Sequence, residues 1–148
     1  MKFQITKNID ILPARLFAIL QDTSVRKNWI PIFVGLENGV VSLVSGASVH
    51  SKYSFLKEEA CIEEYFRVVD NKEIALTIDS SKGKWTVFVV LVETNNGTEV
   101  TAMVELESRA WLSSLMLWME AGKLELFANE LLDRLKEYAE KHELHSVK

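Results

Sequence analysis

Apolar and polar residues alternate from the first positions of the chain. Phe3, Ile5 and Ile9 fall on one face of an extended segment, and Gln4, Thr6, Asn8 and Asp10 on the other, which predicts a half-buried first strand. Pro13 fits the first turn of a helix, where its missing N–H costs nothing, and Leu16, Phe17 and Leu20 form a short apolar stripe behind it. Asp22 or Thr23 is placed to cap a second short helix. That helix ends before Trp29-Ile30-Pro31, because the residue ahead of a proline avoids helical angles. From Phe33 to Ala110 the period becomes that of strands, with Gly35, Gly39 and Gly46 interrupting the first part. The β-rich runs are Val49–Phe55, Ala60–Val69, Ile74–Asp79, Lys84–Glu93 and Thr98–Ser108. Tight connections at Asp70-Asn71-Lys72, Ser80-Ser81-Lys82-Gly83 and Asn95-Asn96-Gly97 make them an antiparallel meander.

A long helix follows, capped by Ser113 or Ser114 and reaching about His142. Leu117, Ala121, Leu124, Ala128, Leu131, Leu135 and Tyr138 recur at alternating steps of four and three, and Leu132 widens that stripe. A helix so patterned must lie on the sheet. Ala121 and Ala128 are small, which fits either close packing or the roof of a cavity. The expected architecture is α+β: a curved antiparallel sheet of about seven strands wrapped around the C-terminal helix, with two short helices after the first strand. At 148 residues there is room for one core, so 1–148 is read as a single domain that buries roughly 70% of its extended surface without disulfides or metal.

One strand departs from simple alternation. Trp85, Val87, Val89 and Leu91 are apolar on one face, and Phe88, Val90 and Val92 on the other. A sheet with one wet face alternates, so something is expected to cover this strand's outer face, a second subunit being the simplest candidate. Trp111, Leu112, Leu115, Met116 and Met119 exceed what one helix face buries, and are read as a cavity mouth or a partner contact.

The order of elements, with several local motifs, resembles the START-like or SRPBCC superfamily, the helix-grip fold. Ile11-Leu12-Pro13-Ala14-Arg15-Leu16-Phe17 is similar to the stretch in which a proline opens that family's first helix. Gln21-Asp22 with Asn28-Trp29-Ile30-Pro31 resembles its Asp…Trp-x-Pro segment, and Asn96-Gly97-Thr98-Glu99-Val100-Thr101 its last hairpin. Leu132-x-x-Leu135-Lys136 is similar to its C-terminal helix ending. These shared motifs are structural. The superfamily includes lipid carriers, polyketide cyclases, hormone receptors and chaperone cofactors, so the resemblance implies a fold and a cavity rather than one activity.

Charge narrows the choice. A formal net charge of −4, with no basic cluster longer than Arg26-Lys27, argues against nucleic acid or an anionic membrane surface as partner. The first ten residues lack a signal-peptide core, and the longest apolar run, Val87–Val92, is too short to span a bilayer as a helix. Neither integral membrane association nor export is expected, and the cytoplasm is the expected location. The lone Cys61 reads as a buried small apolar residue, and no Cys/His spacing fits a metal.

No phosphate loop, HExxH motif or nucleophile elbow is present, so neither a cofactor nor a metal is expected. His142 and His145 lie in a charged tail, and His50 points away from the Tyr53 and Phe55 face. Strand neighbours face opposite ways, so either Glu63 or Glu64 can look inward, the alternative being that all the paired carboxylates are surface charges that limit edge-strand aggregation. Glu105 and Glu107 share the face opposite Val104 and Leu106. Arg67 and Arg109 are the cations placed to meet an inward carboxylate or a ligand, with surface placement as the alternative. The first expectation is a non-enzymatic protein binding a small hydrophobic molecule of lipid, polyketide or isoprenoid type. Its cavity lining is drawn from Trp29, Tyr53, Phe66, Trp85, Met103, Trp118, Leu124 and Ala128. The alternatives are a cofactor-free cyclase or dehydratase working by general acid–base catalysis, and a protein-interaction module like a chaperone cofactor.

Overall fold

The computed structural model describes residues 2–37, 43–54, 58–81, 83–108 and 121–146, with the side chains of the last helix described over 124–142. Strand β1 (Lys2–Ile9) leads through Pro13 at the first turn into α1 (Pro13–Gln21), which buries Leu16 and Phe17. The second short helix, α2 (Thr23–Asn28), is a 3-10 helix. Asp22 caps it, its Oδ1 accepting hydrogen bonds from the Ser24 backbone N–H at 3.0 Å and the Ser24 hydroxyl at 2.5 Å. Then come β2 (Phe33–Leu36), β3 (Ser48–Ser54), β4 (Glu58–Val69), β5 (Glu73–Ser80), β6 (Gly83–Glu93), β7 (Thr98–Ser108) and the closing helix α3 (Ala121–Ser146). The expected helix caps Ser113 and Ser114, and the proposed mouth residues, lie outside the described residues.

All seven strands form one antiparallel sheet in the order β1-β7-β6-β5-β4-β3-β2, so β1 and β2 are its edges. The meander expected from the turn residues is present in full. Asn71 adopts a left-handed φ of 62° between β4 and β5, a conformation that asparagine tolerates. Gly97 is needed for another reason than its turn. A Cβ there would sit 2.2 Å from the Ile9 carbonyl oxygen, because the β6–β7 hairpin packs directly on the chain leaving β1. The Thr98 hydroxyl, wholly buried, closes the same junction by donating to the Ile11 carbonyl at 2.7 Å.

The register decides which side chains share the concave face, where the core sits. Ile5 of β1 pairs with Ala102, Leu91 with Val100 and Tyr65 with Leu76, and all of these are buried. From α3 the core receives Leu124, Leu132, Leu135 and Ala139. The buried stripe is therefore shifted around the helix from the expected one: Leu131 and Tyr138 are only half-buried, and Leu132 and Ala139 take the inner positions. Polar contacts fix α3 to the edge strand. Lys7 pairs with Asp133, and the Lys136 ammonium donates to the Asn8 carbonyl at 3.0 Å.

A bulge in β4 falls between Tyr65 and Arg67. It places Phe66 and Arg67 together on the convex face, since Phe66 meets Phe88 edge to face at 5.7 Å and Arg67 pairs with Glu73 at 2.9 Å. Phe88 is in register with Met103, so Met103 is convex as well. Phe66 and Met103 thus do not line a concave cavity, and Phe66 is 51% exposed. Their apolar character reads identically on either face of a strand, which is why sequence pattern alone misplaces them.

Candidate functional site

Strands β3 and β4 carry polar side chains on the buried side. In β4 the burial alternates from Glu58 onward so that Glu59, Cys61, Glu63 and Tyr65 point inward, while Glu64 points out. Register places Val49 beside Glu63 and Ser51 beside Cys61, and Tyr53 belongs to the same inner row of β3. Helix α2, held by its Asp22 cap, lowers Arg26 into this layer until the residue is only 5% exposed.

The four side chains Arg26, Tyr53, Glu63 and Tyr65 meet there. The Arg26 guanidinium donates from Nη1 to Glu63 Oε2 at 2.8 Å and Oε1 at 3.0 Å, and from Nη2 to the Tyr65 hydroxyl at 3.1 Å. The Tyr53 hydroxyl accepts from Arg26 at 3.2 Å and donates to Glu63 Oε2 at 3.0 Å; Tyr65 donates to Oε1 at 2.5 Å. Beneath Arg26 lies the Phe33 ring, its centroid 5.1 Å from the guanidinium carbon, and Phe33 meets Tyr53 edge to face at 5.5 Å. An ion pair this deep is tolerable only because every charged oxygen is hydrogen-bonded.

The surroundings perturb each titrating group in a definite direction. Burial, then the Glu63 charge, pushes the phenols of Tyr53 and Tyr65 well above the ordinary tyrosine value. Burial alone would lower the Arg26 guanidinium, but the oxygens of Tyr53, Tyr65 and Glu63 outweigh it and hold the charge. The Cys61 thiol, 8% exposed, is pushed up to about 11 by burial and then by the nearby Glu63, Glu59 and Asp79 charges. It points back to the Glu59 carbonyl at 3.8 Å, and the Ser81 hydroxyl donates to Glu59 Oε2 at 3.2 Å. A thiol so placed is a poor nucleophile.

Of the expected polar groups, Glu63 alone is seen inside. Glu64 and Arg67 are on the convex side, and Arg109 lies outside the described residues. Glu63's partner, Arg26, does not stand out by pattern: it looks like one more surface cation of a short helix, and its partner is 37 residues away. Of the expected apolar lining, Trp29 and Ala128 pack against the core, Leu124 is buried within it, and Trp85 is half-buried on the concave face. Tyr53 belongs to the polar cluster, and Trp118 lies outside the described residues. His50 is outside, 47% exposed and 3.9 Å from Glu37.

Beyond the polar end the concave face is apolar. Ile78, Trp85, Val87, Val89 and Val104 share it by register and are only partly buried, with Ile78, Val87 and Val89 packed against the core. Toward the closed end, Leu91, Val100 and Ile9 are sealed. A separate open groove of about 380 Å³ runs along the β1 edge between Gln4, Ile5, Thr6 and the α3 residues Glu125, Leu126 and Asn129. It contains none of the expected lining residues. Among the described residues no group of three or more His, Cys, Asp or Glu side chains is placed to hold a metal, and no helix is long and apolar enough to cross a membrane.

No protein-family model matches the chain, nor does any protein of curated function. Solved structures do match over nearly its whole length. A Chromobacterium violaceum protein superposes with a TM-score of 0.77 at 14% identity, over 94% of this chain and 96% of its own. A Thermus thermophilus protein gives 0.75 at 17% identity, over 96% and 99%. Ara h 8.0201 gives 0.69 at 11% identity, over 95% and 98%. The chain has the helix-grip fold. At these identities the likeness concerns architecture alone.

Proposed function

We propose that the protein binds a small, mainly apolar molecule of lipid, polyketide or isoprenoid type between the concave face of its sheet and α3. The observation that carries this reading is the row Ile78, Trp85, Val87, Val89 and Val104, apolar side chains on the concave face that remain only partly buried. Covering roughly 200 Å² of such surface is worth about 5 kcal/mol before ordering costs, enough for useful affinity without a charged anchor. The fold's likeness to Ara h 8.0201 and the bacterial structures is compatible with such a cavity.

The polar cluster favours binding over acid–base catalysis. Glu63 is the inward carboxylate that a cyclase or dehydratase would use as base, yet both its oxygens are occupied by Arg26 and the two tyrosines. Its geometry fits a support that holds α2 over one end of the cavity.

The neutral dye Nile red tests the reading. Saturable binding with blue-shifted emission is expected from the parent protein, weakened about tenfold or more by Val87→Trp, which fills the open row while keeping it apolar. Absence of saturable binding, or a Val87→Trp variant that binds as the parent does, would contradict it.

A further inference from the structure

The convex face of the sheet carries a feature that the cavity does not explain. Ala75, Phe88 and Met103 are in register across β5, β6 and β7, and the β4 bulge adds Phe66 at the end of the row. Phe66 and Phe88 interlock edge to face, and Phe66 is 51% exposed. Val92 on β6 and Ile62 on β4, on the same face, are 52% and 40% exposed. At about 4.8 Å per strand the stripe is roughly 14 Å long, and it runs across the strands rather than along them.

The rims of the stripe are acidic. Two residues away along the strands, about 7 Å to one side, lie Glu64 and Glu105; Glu73 lies on the other side, with Glu99 one step further. Asp79 and Glu107 share the face, against which β4 to β7 set only Arg67 and Lys84 among the described residues. Arg67 is already paired to Glu73, and Lys2 of β1, on the same face, pairs with Glu105 at 3.7 Å. Carboxylates on both flanks of an apolar stripe disfavour a second copy of this chain, whose matching face would bring the same charges together. They also disfavour an anionic membrane. These strands are interior, so a partner strand cannot pair with their edges.

We propose that this convex stripe docks an amphipathic helix of a partner protein, one with an apolar face and Lys or Arg along both flanks. A length of 14 Å matches about ten helical residues at 1.5 Å each, and a helix about 10 Å wide reaches both rows of carboxylates. The apolar face of the partner covers Phe66, Phe88 and Met103, and its cations meet Glu64 and Glu105 on one side and, in competition with Arg67, Glu73 on the other. This surface is independent of the cavity, so its failure leaves the ligand-binding reading untouched.

The test uses fluorescein-labelled synthetic helices added to the intact protein at physiological salt. The probes are a Leu/Lys peptide patterned for one apolar face and the same peptide with Glu for Lys. Tight binding of the Lys peptide alone is expected, with backbone amide shifts in the NMR spectrum gathered on the convex residues of β4 to β7. Phe66→Ser should weaken binding about tenfold. The double variant Glu64→Lys, Glu105→Lys, which reverses rim charges, breaks only the exposed Lys2–Glu105 pair and leaves the core intact, should do the same. Equal binding of the Glu peptide would overturn the proposal, as would shifts gathered on the concave face or charge reversal without effect. So would sedimentation showing that the protein alone dimerises through Phe66.

Discussion

At the scale of single residues, the buried hydroxyl and thiol groups around Glu63 make alkaline pH the protein's weak side. Cys61 titrates in the fold at about 11 against an ordinary 9.0, and Tyr53 and Tyr65 lie above their ordinary 10.0. Each binds its proton more tightly folded than unfolded, so its contribution is complete below the unfolded pKa and is lost as pH rises beyond it. The urea midpoint is therefore expected to hold up to about pH 9 and to fall from there through pH 11, with Cys61→Ala flattening the earliest part of the fall. A midpoint unchanged to pH 11 would contradict the assigned environment. How far these residues are legible in the sequence depends on their neighbours. Strand alternation reduces the inward acid to Glu63 or Glu64, but parity cannot choose without knowing which face is buried. Arg26 is illegible because its role rests on contacts with Tyr53, Glu63 and Tyr65, all distant in sequence.

Between elements, the same cluster ties the short 3-10 helix α2 to β3 and β4. A 3-10 segment of six residues has little stability of its own, and Arg26 is its anchor in the core. Removing one partner strands a charge in a dry site. Glu63→Leu and Arg26→Met are each expected to destabilise the fold by about 3–5 kcal/mol, and the double variant by clearly less than their sum. Urea unfolding of the three variants measures this, and additive losses would mean that the pair is not coupled. Element boundaries are largely visible in the sequence: the turn at Asn71 and the cap at Asp22 are punctuation with local causes, whereas Gly97 is also required by the distant Ile9 carbonyl. The buried side of α3 is less so, since Leu131 and Leu132 both fit an apolar stripe and only contact with the sheet selects Leu132.

Across the whole molecule, the order of elements is readable because the connections from β3 to β7 are short and each strand pairs with a sequence neighbour, apart from β1 closing on β7. What the grip holds is not, for a physical reason: an apolar residue that fills a core and one that lines a cavity look alike. Trp85 and Val87 are partly buried on the concave face, and Phe66 and Met103, equally apolar, lie on the opposite side of the sheet. In the proposed function a ligand completes the concave face, and native mass spectrometry of freshly purified, gently desalted protein would detect it. A reproducible added mass is expected, removed by organic extraction and reduced in Val87→Trp. A bare chain under the same conditions, unchanged after incubation with fatty acid, polyketide and isoprenoid extracts, would contradict it.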